Sequence, residues 1–221
     1  MGLNYRAPLV REAQDEHTAT VIFLHGLGDT GAGWFDVGQM LSPALPHVKF
    51  VFPNAPDRPI TLNMGMRMPG WYDIAALDAI DAKEDADGIN ESVRYVKELV
   101  AAEKVPSDRV VVGGFSQGGA IALGMLRTDV PLAGVAGLST YMPLHTQPGV
   151  VAATHKQTPV FQAHGDADQV VAFSFGTNTK ALLEKEGVDV TWRVYNGMPH
   201  SACPEELQDL AQWLAKTLPP K

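Results

Sequence analysis

The stretch Gly113-Gly114-Phe115-Ser116-Gln117-Gly118-Gly119 decides the fold. The apolar run Val110-Val111-Val112 precedes it, and an alanine- and leucine-rich segment, Ala120 to Leu126, follows. That order reads as strand, very tight turn, helix. Gly114, Ser116 and Gly118 form the pattern G-x-S-x-G, which sets a serine on a sharp, strained turn with its hydroxyl projecting above a sheet. Strand and helix backbones crowd there, so a Cβ two residues to either side of the serine would clash. Three fixed positions recur by chance, however. Alone, the pattern describes an ordinary serine in a Gly-rich loop equally well. Its weight depends on whether the rest of the chain supplies partners for Ser116.

Outward from this stretch, strands and helices alternate. Thr20 to Leu24 is a short continuous apolar run, as expected of a strand covered on both faces. Val48 to Phe52, Leu132 to Leu138 and Pro159 to His164 read as further strands. Val188 to Tyr195 reads as a last one at a sheet edge. Leu3 to Val10 is read as an edge strand, since Pro8 cannot sit at a sheet centre. Helices are expected over Trp34 to Ser42, Asp87 to Ala102, Gln117 to Arg127, Phe173 to Glu186 and Pro204 to Leu218. In the second, Ile89, Val93, Val96 and Val100 share one face of a 3.6-residue period. Glu205 and Glu206 suit the positive end of the last helix's dipole. The pattern predicts an α/β fold with a mostly parallel central sheet and helices on both faces. Functional groups should then gather in loops after the carboxyl ends of strands. Asp57 to Lys83 lacks either period. It reads as a lid or pocket wall in preference to a loop packed only by its own side chains. Met66, Met68, Trp71 and Tyr72 are its candidate pocket residues.

Composition narrows the class. At 221 residues, 45% of them apolar, the chain is read as a single domain over residues 1–221 with a sizeable core. The net charge is −8, from 25 acidic residues against 17 Lys and Arg. An acidic chain without a basic cluster argues against nucleic acid and against docking on anionic lipid. One cysteine, Cys203, precludes an internal disulfide and fits a reducing cytoplasm. Residues 1–14 do not read as a signal peptide. No run approaches the roughly 18 apolar residues of a membrane span. No H-E-x-x-H, Cys pair or dense acid cluster suggests a metal, and no cofactor is expected.

Three strand-end loops carry reactive side chains. A serine hydroxyl needs a base within hydrogen-bond reach. A histidine supplies it, and a carboxylate fixes the histidine's tautomer. Ser116, Asp168 and His200 stand in the chain order serine, acid, histidine. Asp166 competes for the acid role. Val170 and Val171 would anchor the loop beneath Asp168, so Asp168 is preferred and Asp166 is read as a brace. Among the seven histidines, only His200 falls in the loop after the last strand. His25 and His164 are read as structural, and His17, His47, His145 and His155 as solvated. Two N–H groups must also face a developing oxyanion. Gln117, after the serine, supplies one, and the loop His25-Gly26-Leu27-Gly28 places Leu27 for the other. Cys203 is read as a small buried or capping residue.

Leu24-His25-Gly26-Leu27-Gly28-Asp29, Gly114-Phe115-Ser116-Gln117-Gly118-Gly119, His164-Gly165 with Asp168, His200-Ser201, and Met68-Pro69 followed by Trp71-Tyr72-Asp73-Ile74 run in collinear order. Together they resemble the phospholipase/carboxylesterase family, whose members include acyl-protein thioesterases and small bacterial carboxylesterases. The resemblance implies an α/β-hydrolase fold with no large cap domain. It implies a serine carboxylesterase acting on short- to medium-chain esters. The family alternative is an acyl-protein thioesterase or lysophospholipase, and a non-catalytic hydrolase-fold binding protein is the alternative from another class. The implied partner is a small-molecule ester, with weak homodimerisation through apolar surface near the site. The palmitoylated N-terminal cysteine of animal thioesterases has no counterpart here, so no stable membrane anchor is expected. Tyr72 stands where Phe is frequent, and Gly70 where a small polar residue is usual.

Overall fold

β-Branched and aromatic residues covered on both faces build the centre of the sheet. β2 (Ala19–Leu24) is buried along its whole length, and β6 (Val110–Phe115) is buried up to its last residue. The computed structural model describes residues 4–77 and 83–221. Its seven-stranded sheet also contains β1 (Leu9–Arg11), β3 (Val48–Phe52), β7 (Gly134–Leu138), β8 (Val160–Gly165) and β9 (Val190–Tyr195). The spatial order is β1-β3-β2-β6-β7-β8-β9. Every neighbouring pair is parallel except β1, which lies antiparallel on β3 at the edge. β1 starts after Pro8, so the expected edge strand is shorter and later than Leu3 to Val10; Leu3 itself lies outside the described residues.

Alternation along the strands sorts the core into two layers. Ile22, Leu24, Val110 and Val112 face one layer, with Ile89 and Val96 of α2 (Ala86–Ala101), Ile121 of α3 (Gln117–Gly124) and Leu183 of α4 (Phe173–Lys185). Val21, Phe23 and Val111 face the other, with Trp34 of α1 (Ala32–Leu41) and Leu210 and Leu214 of α5 (Pro204–Thr217). A period of two on the strands and 3.6 on the helices thus gives the expected helices on both faces. Asp85 caps α2 by accepting the Gly88 N–H, and Gly187, at φ +83°, ends α4 as the sequence suggests.

The stretch after β3 is not irregular throughout. Asp57–Ile60 (β4) and Met66–Pro69 (β5) pair as an antiparallel hairpin, with Met64 and Gly65 both at positive φ in its tip. Four-residue strands, one containing Pro59, are too short for an alternating pattern to stand out. Residues 78–82 of that stretch lie outside the described residues. Glu205 and Glu206 both stand in the first turn of α5, as expected, but in different surroundings. Glu205 is exposed at the start of α5, but Glu206 is fully buried, and neither carboxyl oxygen has a hydrogen-bond partner among the described residues. Burial pushes its pKa up to about 8.

A raised carboxyl pKa has a definite linkage sign. Between the ordinary carboxyl range and pH 8 the folded chain holds a proton that the unfolded chain has lost, so stability falls as pH rises through that window. The slope is on the order of 1 kcal/mol per pH unit. Glu206→Gln should remove it. The urea midpoint should fall further, or rise less, from pH 6 to pH 8 in the wild type than in the variant; equal changes in both would show that Glu206 ionises normally.

Candidate active site

Ser116 sits between the last residue of β6 and the first of α3, at φ +54° and ψ −121°. This conformation is costly for a residue with a Cβ, and the surroundings hold it. Its N–H donates to Leu138 O, and its carbonyl accepts from the Ala120 N–H and the Thr140 hydroxyl. The glycines serve the crowding that the sequence implied. A Cβ on Gly114 would lie 2.4 Å from the Gly118 carbonyl carbon, and one on Gly118 would lie 2.4 Å from Leu24 O and 2.5 Å from His25 O.

The structure brings Ser116, His200 and Asp168 into one hydrogen-bonded line. His200 Nε2 lies 3.0 Å from Ser116 Oγ, and His200 Nδ1 lies 2.7 Å from Asp168 Oδ2. A carboxylate only accepts, so Nδ1 carries the proton and Nε2 presents its lone pair to the serine hydroxyl. The Asp168 side chain is wholly buried. Its Oδ1 accepts the N–H groups of Val170 and Val171, at 2.8 and 2.9 Å. Burial raises its pKa, but bonds from His164 and His200 and from the Val170 amide override that and hold the carboxyl well below its usual range. Asp168 therefore stays ionised wherever the protein is folded at ordinary pH. Asp166 does brace: its Oδ1 accepts the Gly197 N–H at 2.6 Å, pinning the turn that carries His200.

The other histidines divide. His25 is fully buried; it donates from Nδ1 to Gly26 O and accepts the Ala55 N–H at Nε2. Burial lowers its pKa, consistent with this neutral tautomer. His164, also fully buried, bonds Val171 O and stands 3.3 Å from Asp168, a second contact to the acid that the sequence reading missed. His47 and His155 are buried rather than solvated. His47 reaches Leu218 O across the fold and His155 bonds Thr158. Cys203 occupies the N-cap position of α5, and burial raises its thiol pKa, which makes a nucleophilic role unfavourable.

Leu27 and Gln117 line the same cavity as Ser116 and His200, and neither N–H has an acceptor among the described residues. The Gln117 N–H is one of the orphan donors at the start of α3. The Gln117 side chain, almost wholly buried, has a separate task. Its Oε1 accepts the Trp71 N–H and its Nε2 donates to Tyr72 O. This clamps the segment after the hairpin onto the serine turn.

The cavity measures about 460 Å³. Tyr72 is in its wall, but Met66, Met68 and Trp71 are not among its lining residues. Met66 is exposed on β5, and Met68 packs beside Gly28 and accepts a bond from Asn63 at its sulfur. Trp71 is fully buried beneath the wall, donating from its indole to His25 O and accepting at its carbonyl from Ser92 Oγ. Neither methionine lines the cavity. Its apolar wall comes instead from Leu62, Ile74, Leu77, Tyr141 and Val170. The first three lie in the suspected stretch, where the absence of a period hid which side chains point inward. Tyr141 lies in the stretch after β7, which carries no motif. Among the described residues, no group of three or more His, Cys, Asp or Glu could hold a metal ion, and no helix is long and apolar enough to cross a membrane.

Comparison with known proteins agrees with this geometry. The sequence profile described as Phospholipase/Carboxylesterase matches residues 6–218. The chain is 52% identical to acyl-protein thioesterase 1 of Mycosarcoma maydis, over 91% of this chain and 92% of that protein. It is 46% identical to acyl-protein thioesterase 1 of Neurospora crassa, covering 99% and 94%. The crystal structure of Zea mays acyl-protein thioesterase 2 superposes with a TM-score of 0.86 at 31% identity, covering 97% of this chain and all of that one. The fold is that of the α/β-hydrolases without a large cap, and the chemistry is that of an ester or thioester hydrolase. The chain belongs to the phospholipase/carboxylesterase family.

Proposed function

We propose that this protein is a serine thioesterase that removes acyl groups from proteins, with Ser116 as nucleophile, His200 as general base and acid, and Asp168 as the group that orients and stabilises His200. The observation that carries the reading is the Ser116–His200–Asp168 line opening onto an apolar-walled cavity of about 460 Å³. The naming of relatives 52% and 46% identical across nearly the whole chain favours a protein-bound thioester over the general carboxylesterase first expected.

The geometry accounts for each step. His200 Nε2 accepts the Ser116 proton as Oγ attacks the acyl carbonyl. The carbonyl oxygen gains negative charge, and the Leu27 and Gln117 N–H groups receive it; one such donor is typically worth 10²–10³ in rate, a figure of about that order being expected here. As the tetrahedral intermediate collapses, the acyl–sulfur bond breaks and His200 returns its proton to the departing thiol. A water then enters, His200 takes its proton, and the Ser116 ester is hydrolysed by the same route. Asp168, held ionised, stabilises the imidazolium formed in each half.

Matched substrates test the proposal. An S-acyl cysteine peptide should show a kcat/KM at least about tenfold above its O-acyl serine counterpart, since a lower-pKa thiol leaves more readily. Equal constants, or preference for a lysolipid of the same chain, would return the protein to the general esterase or lysophospholipase reading.

A further inference from the structure

We propose that Tyr141 is the partition that limits the length of acyl chain the catalytic cavity accepts, and that a second cavity behind it is a subsite for the distal part of longer chains. The proposal rests on reading the main cavity as an acyl site.

Two cavities have Tyr141 as the only described residue common to their walls. One is the catalytic cavity, with Ser116 and His200. The other, about 130 Å³, lies between the segment after β7 and α4, bounded by Met142, Phe175, Thr179 and Leu182. The Tyr141 side chain is almost wholly buried between them. Its hydroxyl lies 2.6 Å from that of Tyr72, which is itself in the catalytic wall. Its ring centroid lies 6.1 Å from that of Phe175, on the side of the second cavity. The backbone next to it is fixed independently, because the Met142 N–H donates to Thr179 Oγ1 at 2.8 Å. The segment that carries Tyr141 is thus anchored to α4 apart from any contact of the tyrosine ring.

The chemistry suits an alkyl chain. Burial pushes the Tyr72 phenol well above its usual value, so its hydroxyl stays uncharged. Met142, Phe175 and Leu182 offer apolar surface beyond them, and each methylene that leaves water for such surface adds roughly fourfold to binding. A chain long enough to meet Tyr141 gains nothing further while the ring stands, and gains again once it is cut back.

The test measures kcat/KM for p-nitrophenyl esters of increasing saturated chain length in wild type, Tyr141→Ala, Tyr141→Leu and Tyr141→Ala combined with Asn178→Trp. Asn178 is exposed at the rim of the second cavity, so the indole can fill that space without disturbing the core. In the truncated variants the ratio of the longest to the shortest ester should rise on the order of tenfold or more over wild type, the gain from two or three methylenes. Asn178→Trp should cancel that rise. A ratio unchanged within about twofold in the folded variants, or a rise that persists in the double variant, overturns the partition. Wild type that turns over no ester of any length instead overturns the acyl-site reading beneath it.

Discussion

Ser116→Ala should abolish turnover on the order of 10⁵-fold or more while leaving the fold in place. The side chain contributes one bond, from its hydroxyl to His200 Nε2. The tight turn is held by other groups: the Ser116 N–H on Leu138 O, and its carbonyl under the Ala120 N–H and the Thr140 hydroxyl. Alanine keeps all three, and at φ +54° it bears the same backbone strain as serine. What remains after the substitution is binding and the two N–H donors, which sustain some rate over water without a nucleophile. Circular-dichroism melting and kcat should therefore separate, with an unchanged midpoint and a lost rate. Activity retained within tenfold would assign the chemistry to another group.

Gly118→Ala should have a large effect on stability. A Cβ there would meet Leu24 O and C and His25 O within 2.4–2.6 Å, and all of these are backbone atoms. A flexible side chain could swing away, but the end of β2 cannot, because Leu24 is paired with Gly114 of β6. The helix start must move instead, and with it the Gln117 amide and the clamp on Trp71 and Tyr72. Overpacking of this kind costs about 1–3 kcal/mol or more. Gly65→Ala is the fitting contrast. It has nothing within 4 Å of its added Cβ, and only its φ of +75° penalises a side chain. That costs about 1 kcal/mol. Urea unfolding should rank Gly118→Ala well below Gly65→Ala, with activity lost only in the former. Equal losses in the two would mean that the turn gives way more easily than the backbone distances imply.

The sequence made the sheet legible because its central strands are buried on both faces, and buried β-branched runs such as Val110 to Val112 need no tertiary knowledge to recognise. It made the site legible because loops after parallel strands converge, so three motifs far apart in the chain could be placed together. The cavity wall was not legible in the same way. Tyr72 was named, but Met66 and Met68 lie outside the wall, in a hairpin whose strands are too short to announce their period, and Trp71 is a hydrogen-bonded support beneath it. Tyr141 carries no motif; its importance comes from standing between two cavities, which only packing reveals. Glu206 shows a different limit. Its place in the first turn of α5 satisfies the dipole rule, yet tertiary contacts bury it, and the same residue becomes a neutral acid. The Gln117 side chain escaped notice because its backbone already had a role.

The most direct test of Ser116 as the nucleophile is covalent trapping. Wild-type protein treated with an alkyl fluorophosphonate should take up a single adduct by intact mass. Peptide mapping should place it on Ser116, and thioesterase activity should vanish in proportion to labelling, with no adduct in Ser116→Ala. An adduct mapped to another residue such as Cys203, or full labelling with activity retained, would contradict the account.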